Sequence, residues 1–363
     1  MDLAGKRILI VKPSSLGDII HTLPIVHCLK RSFPDCHLGW IVQEVFAAIV
    51  ERDPDVDIVY PITIPSTSDP RAGRWAYYHA LRATVKTAAA LRRTFRNKPY
   101  DLILDLHASF RSGVLAVTNP GGIRIGFGDA RELNPWFQHK KVKVPRPAMH
   151  AVDKNLLFCA RMGCSASSAD FCLHSSEDDR LAVDDFLQQQ GVVPGDKIVY
   201  VNPAARWKTK FWLAERWAEL ADRLVEQDGL QVVFAGSEGD LPYITAIAGY
   251  MKQLPLVAAG SLGLGGAAAL LQRSAVYAGL DSGPMHMAAM AGIPVVVLFG
   301  PTNPELVGPY GVAHQIIRAT DVDCLGCRKR HCDHLSCMQG ISVRQVIDAV
   351  FSLVPDAIAG GVH

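Results

Sequence analysis

The stretch AVYAGLDSGPMHMAAMAGIPVVVLFGPTNP, residues 275–304, contains one complete strand–helix–strand unit. An apolar strand ends at Leu280, the tight turn DSG follows, and a helix of small residues begins near Pro284, since proline is tolerated in a first helical turn. A second apolar run, IPVVVLFGP, comes directly after the helix. This pattern predicts an α/β fold with a mostly parallel sheet.

The same alternation continues along most of the chain. Before residue 128 it predicts the strands RILIV, HLGWIV, DIVYPI, DLILDL and IRIGF, with helical patterns between them. It pauses over residues 145–180, where prolines and then small polar residues are typical of a domain junction, and it resumes with KIVYVNP. We therefore predict two αβα sandwich domains, residues 1–168 and 169–363, and leave open whether the C-terminal helix packs back on the first. If the domains face each other, the carboxyl ends of both sheets border a central cleft.

Composition excludes several classes of protein. At 363 residues the chain is too long for one ordinary core. Its 37 basic and 35 acidic residues give a net charge of +2, which is too balanced for a protein that coats nucleic acid. No apolar run approaches the ~20 residues of a membrane span or forms a signal sequence, so we expect a cytosolic protein. The nine cysteines, an odd number, argue against a disulfide framework.

The stretch ILIVKPSSLGDIIHTLP, residues 8–24, leads from a strand through a polar loop into a helical pattern. Asp18 lies at the junction. One interpretation is a helix N-cap, because a short polar side chain there bonds free backbone N–H groups. The other is a catalytic base at the carboxyl end of a strand, where open α/β sheets bind ligands. Taken alone, the stretch favours the cap.

The turn DSGPMH, residues 281–286, contains groups that suit an anion. Free N–H groups and the helix dipole attract negative charge, and Gly283 lets a phosphate approach the backbone. His286 could donate to a phosphate oxygen. The alternative is that Asp281 and Ser282 are ordinary caps and that His286 is a hydrogen-bonded, partly buried histidine; the residues alone do not decide.

A basic loop follows the strand KIVYVNP. Arg206, Lys208 and Lys210 precede a helix whose apolar face includes Trp212 and Trp217. Lysines in a loop are usually solvated. At the mouth of the second domain, however, they could neutralise a pyrophosphate.

The run GLGGAA, residues 263–268, matches a dinucleotide-binding fingerprint, with Asp281 at about the distance of a ribose-binding acid. The preceding run, QLPLVAAGS, contains Pro255 and is a poor central strand. The match is therefore weak support for a nicotinamide-dependent dehydrogenase.

Residues 71–100 carry eight basic side chains and no acidic one: Arg71, Arg74, Arg82, Lys86, Arg92, Arg93, Arg96 and Lys98. On a helix, Arg82, Lys86 and Arg93 fall on nearly one face. One interpretation is a solvated surface. The other is a docking surface for a phosphorylated or membrane-bound acceptor, because basic helices bind anionic bilayers. Few aromatic residues interleave the stretch, which disfavours single-stranded nucleic acid.

The segment CLGCRKRHCDHLSCM places four cysteines close together in sequence: Cys324, Cys327, Cys332 and Cys337. Such clustering suggests a zinc-type site, although the loops between the ligands are shorter than in common zinc ribbons. The sequence leaves a metal site and the absence of one equally open.

The segments VKPSSLGDIIHTLP, ARWKTKFWLAERW, DSGPMHMAAMAGIPVVVLFGPTNP and CMQGISVRQVIDAV are spread over most of the chain. With them the chain resembles the ADP-heptose:lipopolysaccharide heptosyltransferases, the family 9 glycosyltransferases of GT-B fold. The runs IHTLP and WIVQE look more like heptosyltransferase I than heptosyltransferase II. The resemblance implies two Rossmann-like domains facing a central cleft, the first binding the acceptor and the second the nucleotide sugar.

The resemblance also implies roles for single residues. Asp18 matches the family's general base, which reverses the choice made from the stretch alone. Lys210 matches a lysine that contacts the donor phosphates, and we expect it to assist catalysis. An acid after VVFAG usually contacts the ribose, and Glu238 and Asp240 both fit. The predicted donor-binding residues are Ser14, Ser15, Gly17, Lys210, Glu238, Asp240, Asp281, Ser282, Gly283 and His286. The predicted acceptor-binding residues are Lys12, Arg71, Arg74, Arg82, Lys86 and Arg93.

The activity implied is inverting, metal-independent transfer of a heptose from ADP-heptose to Kdo-lipid A or inner-core lipopolysaccharide. Asp18 would take the acceptor proton, while Lys210 and His286 stabilise the departing pyrophosphate. We expect no cofactor besides the ADP-sugar substrate, no nucleic-acid partner, and a cytoplasmic location at the anionic surface of the inner membrane. The alternatives are a family 9 transferase that adds a different sugar or a later heptose, a GT-B-like sugar-nucleotide epimerase, and a non-catalytic nucleotide-binding scaffold.

Overall fold

The computed structural model describes residues 2–65, 73–146, 148–226 and 230–354. It divides the chain into two compact units, Met1–Phe171 and Cys172–His363. The boundary predicted from the sequence, between residues 168 and 169, lies close to this division.

The first unit is a parallel sheet flanked by helices. Its strands are β1 (Arg7–Val11), β2 (His37–Gln43), β3 (Ile58–Ile62), β4 (Leu102–Asp105), β5 (Ile123–Phe127) and β6 (Lys140–Val142). Its helices are α1 (Leu16–Ile20), α2 (Leu23–Ser32), α3 (Glu44–Glu51), α4 (Arg74–Asn97), α5 (Phe110–Ala116) and α6 (Ala151–Met162), with 3-10 turns at Asn134–Phe137 and Ser168–Asp170. The strand order across the sheet is β3-β2-β1-β4-β5-β6.

The second unit repeats this plan. Its strands are β7 (Lys197–Asn202), β8 (Leu230–Phe234), β9 (Leu256–Val257), β10 (Ser274–Leu280), β11 (Val295–Leu298) and β12 (His314–Ile317). Its helices are α7 (Glu177–Gln189), α8 (Ala214–Val225), α9 (Leu241–Ala248), α10 (Leu264–Gln272), α11 (Gly283–Met290), α12 (Pro304–Val307), α13 (Ser336–Gln339) and α14 (Val343–Leu353), with 3-10 turns at Lys208–Lys210 and Glu238–Asp240. The strand order is β12-β11-β10-β7-β8-β9.

Both orders are those of a Rossmann-like sheet. In each unit the chain moves outward from one central strand and then restarts at the neighbouring central strand, β1 beside β4 and β10 beside β7. The connections from these two strands leave in opposite directions, so a crevice opens at their carboxyl ends. Loops that follow β1, β4, β7 and β10 are therefore the places where each unit can hold a ligand.

The segment predicted as a featureless junction, residues 145–180, contains α6 and the start of α7. Helix α6 buries Val152, Phe158 and Met162 on one side and packs against α2. Prolines before this helix and small polar residues after it conceal the short apolar pattern. The last described helix, α14, packs against α8 and the strands β10, β11 and β12 of the second unit.

Within the described ranges, no helix is both long enough and apolar enough to cross a membrane.

Candidate active site

Lys210 and Asp281 form an ion pair at the crevice of the second unit. Nζ of Lys210 lies 2.6 Å from Oδ2 of Asp281 and donates to the carbonyl oxygen of the same residue at 2.9 Å. The two side chains are 14% and 7% exposed, so both charges are largely removed from water. The pair joins the loop after β7 to the turn after β10, which brings together two of the predicted donor-binding residues.

Two tryptophans fix the position of Lys210. The buried indole of Trp212 donates its N–H to the carbonyl oxygen of Ile341 at 3.1 Å. Trp217, on α8, packs edge-on against Trp212 with ring centroids 5.0 Å apart. Each indole removes about 150–250 Å² of surface from water, so this core anchors the loop immediately after Lys210. The spacing in KFWLAERW therefore has a structural reason.

Ser282 and Gly283 lie at the start of α11. Ser282 occupies the N-cap position, but its hydroxyl donates to Oδ1 of Asn202 at 3.0 Å, which joins the ends of β10 and β7. The interpretation of Ser282 as an ordinary side-chain cap is therefore wrong. The start of a helix attracts anions through its N–H groups, and here it lies beside Lys210. His286 is buried in the following turn, at 8% exposure.

The cysteine-rich segment adds further positive charge beside Lys210. The hydroxyl of Thr209 donates to the carbonyl oxygen of Lys329 at 2.9 Å, which ties this segment to the basic loop. The guanidinium of Arg330 lies 4.9 Å from the centre of the Trp207 ring, and Nζ of Lys210 lies 5.0 Å from the same ring. Sequence reasoning missed this arrangement, because the contact joins loops far apart in the chain.

The four cysteines of this segment are near one another without forming a compact ligand set. Burial raises the pKa of Cys337, and the neighbouring Cys324, Cys327 and Cys332 raise it further. Within the described ranges, the groups of three or more ligand atoms within 4.8 Å of one another involve other residues. Cys337 instead packs against Gly300, where an added Cβ would lie 2.8 Å from its Sγ.

Glu238 and Asp240, the two candidates for ribose binding, differ in their surroundings. Oδ2 of Asp240 accepts the backbone N–H of Ser237 at 2.9 Å and its hydroxyl at 2.7 Å. Asp240 thus closes the turn between β8 and α9. Glu238 is exposed to solvent. The geometry favours Glu238 as the acid that is available to a ligand.

The GLGGAA run lies away from the crevice of its sheet. It begins α10, with Gly263 as the N-cap residue, and it follows β9, a two-residue strand at the sheet edge. A dinucleotide fingerprint requires a central strand before the glycines. The dehydrogenase interpretation therefore lacks its structural context.

In the first unit, Asp18 lies in the first turn of α1, which follows β1, and it is close to Lys12. Helix α1 begins at Leu16, so Ser15 is the N-cap residue and Asp18 is the third helical residue. Oδ2 of Asp18 accepts the backbone N–H of Ser15 at 3.0 Å and its hydroxyl at 2.7 Å. Oδ1 lies 3.5 Å from Nζ of Lys12, and the side chain of Asp18 is 48% exposed. Asp18 is therefore the partner of the cap residue, not the N-cap itself, and it keeps an exposed carboxylate edge.

Charges around Asp18 favour its ionised form. Burial alone would raise the pKa of this carboxyl, but Lys12, the two bonds from Ser15 and then His21 lower it well below its usual range. Lys12 is itself held in place, since its ammonium donates to the carbonyl oxygen of Leu106, after β4, at 2.7 Å. Asp18 is consequently a carboxylate at neutral pH.

His107 is a residue of this crevice that sequence reasoning missed. It follows β4, and its pKa is lowered first by burial and then by Lys12, against the opposing effects of Asp18 and Asp105. Its ring is therefore neutral at pH 7. The neighbouring Asp105 is fully buried and accepts side-chain N–H groups from Asn134 at 2.6 Å and Gln138 at 2.9 Å. Asp18 was found by looking for polar residues just after a central strand. The same rule would have found His107, which follows β4.

The predicted basic stretch is the long helix α4, which buries Ala80, Leu91 and Phe95 against the sheet. The opposite face exposes Arg82, Lys86 and Arg93, as the helical spacing predicts. Arg71 lies outside the described residues, and so does the side chain of Arg74.

Large apolar side chains accompany these cations on α4. Trp75 is 75% exposed and Tyr78 is 53% exposed, one turn apart and on the same face as Arg82. Leu81 and Val85 are also exposed. The expectation of few aromatic residues is therefore wrong for the start of this helix, where the exposed surface is both basic and apolar.

Comparison with known proteins identifies the class to which this fold and these crevices belong. The sequence model of the family "glycosyltransferase family 9 (heptosyltransferase)" matches residues 88–337. The chain therefore belongs to this family. It is therefore a glycosyltransferase, and its two Rossmann-like domains are of the GT-B type predicted from the sequence.

Individual relatives cover nearly the whole chain. The lipopolysaccharide heptosyltransferase 1 of Pseudomonas aeruginosa is 28% identical over 330 residues, which are 90% of this chain and 88% of that protein. The crystal structure of a family 9 glycosyltransferase from Veillonella parvula is 27% identical, with a TM-score of 0.83 and coverage of 98% of this chain and 99% of that one. The structure of E. coli heptosyltransferase WaaC with ADP-2-deoxy-2-fluoro heptose is 25% identical, with a TM-score of 0.66 over 96% of this chain and 99% of that one.

Proposed function

We propose that this chain transfers a heptose from ADP-heptose to the inner core of lipopolysaccharide, with Kdo-lipid A as the acceptor and with inversion at the anomeric carbon. The observation that carries the proposal is the buried Lys210–Asp281 pair beside the start of α11. The relatives support the choice of substrates, since one is named lipopolysaccharide heptosyltransferase 1 and another is described with an ADP-heptose derivative.

The second unit supplies the groups that a departing diphosphate needs. A lysine ammonium has three N–H donors, and Asp281 accepts two from Lys210, which leaves the third for a phosphate oxygen. The start of α11 and the guanidinium of Arg330 add positive potential. These fixed charges can stabilise the leaving group without a divalent ion, so we propose a metal-independent reaction. We also propose that the exposed Glu238 contacts the ribose.

The first unit supplies the base. Oδ2 of Asp18 is occupied by Ser15, while Oδ1, which lies 3.5 Å from Nζ of Lys12, is the oxygen that we assign to an acceptor hydroxyl. A carboxylate of lowered pKa is a weak base, so it takes the proton late, when the oxygen is already bonding to the anomeric carbon and has become acidic. A single displacement opposite the departing diphosphate inverts that carbon.

The exposed face of α4 is the surface we assign to the membrane that carries the acceptor. Arg82, Lys86 and Arg93 complement anionic headgroups, and Trp75 and Tyr78 suit the boundary between headgroups and acyl chains. The occupant proposed for this surface is an anionic lipid bilayer, with the enzyme peripherally bound to the inner membrane.

The test measures ADP release from a panel of nucleotide sugars, with and without Kdo-lipid A vesicles and with and without a chelator. The proposal expects acceptor-dependent ADP release from ADP-heptose that a chelator does not change, and a product with inverted anomeric configuration. Turnover with another ADP-sugar, or only with a heptosylated core, would instead establish the alternative of a different sugar or a later heptose. Loss of turnover in the chelator would disprove metal independence.

A further inference from the structure

Three thiols of the first unit form a cluster that the proposed reaction does not use. Cys28 lies on α2, Cys159 on α6 and Cys164 just after α6, and their Sγ atoms lie within 4.8 Å of one another. Cys28 and Cys159 are buried, whereas Cys164 is partly exposed. The thiol of Cys164 is therefore accessible to solvent, and two buried thiols lie next to it.

The backbone at the end of α6 brings Cys159 and Cys164 together. The N–H of Cys164 donates to the carbonyl oxygen of Cys159 at 3.0 Å, and the N–H of Gly163 donates to that of Ala160 at 3.2 Å. With Gly163 at φ +88°, these bonds define a Schellman motif. Side chains at the two positions taken here by cysteine commonly contact each other in that motif. The backbone of the helix end therefore holds the two sulfurs within 4.8 Å of each other.

Neighbouring groups change the pKa values of these thiols in opposite directions. The thiol of Cys159 lowers the pKa of Cys164 most, burial opposes it, and Cys28 and the nearby Arg31 lower it further. Burial raises the pKa of Cys28. Arg31 donates to the carbonyl oxygen of Ser165 at 2.8 Å and pairs with the buried Asp170 at 2.7 Å, so its guanidinium is held near Cys164 as one half of an ion pair. Of the three thiols, the partly exposed Cys164 is thus the one whose pKa is lowered.

We propose that Cys164 is a modification site for hydroperoxides and that it then forms a reversible disulfide with Cys159. The Cys164 sulfur attacks the peroxide, an S–O bond forms, the O–O bond breaks, and the leaving oxygen takes a proton to become water or alcohol. The Cys159 sulfur then attacks the sulfenic acid, the S–S bond forms, and water leaves with the thiol proton. Sulfur loses two electrons in total and the peroxide gains them. The proposal is independent of the sugar-transfer reaction.

The experiment treats the full chain with hydrogen peroxide, blocks the remaining thiols with iodoacetamide and maps peptides without reduction. Trypsin cuts at Arg161, between Cys159 and Cys164, so their disulfide appears as a linked pair. Cys172 lies on the same peptide as Cys164, so Cys172→Ser is both the background and the matched control. We expect the linked pair in that background, none in Cys164→Ser, and a dimedone-trapped sulfenic acid at Cys164 in Cys159→Ser.

Several results would overturn the proposal. They are a free Cys164 after other cysteines have been oxidised, a disulfide that joins Cys164 to Cys28, and a linked pair that a thiol reductant does not reverse. Protection of all three thiols by added Zn²⁺, retained through gel filtration, would make the cluster a metal site instead. Thermal unfolding of each serine variant separates a loss of reactivity from a loss of folding.

Discussion

Asp281 and Lys210 form a largely buried ion pair in the crevice of the second unit. Oδ2 of Asp281 is 2.6 Å from Nζ of Lys210, and little of either side chain reaches solvent. Removing one partner of such a pair leaves an uncompensated buried charge, whereas removing both is often tolerated. The residues that we assign to phosphate binding therefore also stabilise the second unit.

Lys210→Ala should weaken both the fold and the binding of ADP. The unpaired Asp281 should destabilise the second unit by about 3–5 kcal/mol, and ADP affinity in calorimetry should fall about tenfold or more, as expected for the loss of a charged hydrogen bond. The double variant Lys210→Ala/Asp281→Ala should unfold later in urea than the single variant. Lys208→Ala, an exposed lysine of the same loop, is the control and should leave the unfolding midpoint unchanged. Equal ADP affinity in all three variants would place the nucleotide elsewhere.

Asp18→Asn tests the base directly. Asparagine preserves size and can still accept the bonds from Ser15, but it does not take up a proton, so kcat should fall by about 10²–10⁴. The unfolding midpoint should also fall, because the buried Lys12 loses its charged partner, and kcat is therefore measured at a temperature where the variant is fully folded. Asp101→Asn, a partly exposed aspartate of the same unit, should retain full activity. A wild-type rate in Asp18→Asn would leave Asp18 with only its structural role in the turn.

His107 predicts how stability depends on pH. The pKa of His107 in the folded chain is lowered from the usual value of about 6.5. Just below that pH, His107 is therefore protonated more often in the unfolded chain than in the folded chain. The contribution of His107 to the free energy of unfolding is therefore fully present above about pH 6.5, and it decreases as the pH falls towards the pKa of the folded chain. In His107→Gln the urea midpoint should depend less on pH below about 6.5 than it does in wild type. His79→Gln, on the exposed face of α4, should retain the wild-type slope.

Reversing Arg82, Lys86 and Arg93 to Glu should raise the KM for Kdo-lipid A and weaken sedimentation with anionic vesicles. Both effects should shrink at high salt, because exposed charges are screened over about 8–10 Å. A soluble, dephosphorylated Kdo fragment should be turned over normally. The matched control reverses three exposed cations of the same unit that lie off α4, Lys141, Lys143 and Arg146. An equal loss in the control, or on the soluble fragment, would contradict a specific docking surface.

Glu238 and Asp240 should separate into a ligand contact and a structural residue. Glu238→Gln should weaken ADP binding by about tenfold, the effect of losing one hydrogen bond to a charged group. Asp240→Asn should mainly lower stability, by about 1 kcal/mol, because Asp240 closes the turn before α9. The opposite assignment of the two effects would make Asp240 the ribose contact.

Local pattern sufficed for much of the fold. Alternating strands and helices predicted both sheets, and helical spacing predicted that Arg82, Lys86 and Arg93 share a face. The family resemblance then assigned the GT-B class, which is confirmed. These features depend on neighbours in sequence, which is why one sequence can specify them.

Contacts between distant segments could not be predicted in this way. Thr209 donates to the carbonyl oxygen of Lys329 across 120 positions, so only the folded chain shows that the cysteine-rich segment places Arg330 against Trp207 of the basic loop. Helix α6 was overlooked because its flanking residues resemble a linker. The position of Asp18 illustrates a third limit, since one carboxylate both completes a capping pair and retains an exposed edge.

The unequal charge of the two crevices has a kinetic consequence. Lys12 lies beside Asp18 in the first unit and Lys210 pairs with Asp281 in the second, but the second crevice has a further cation, Arg330, against the ring of Trp207. When ADP is freed from its sugar, the terminal phosphate gains an ionisable oxygen with a pKa near about 6, so the product is more negative than the donor. The positive crevice should therefore bind the product ADP more tightly than the ADP-sugar. Release of ADP should then limit turnover, and higher salt should speed that release.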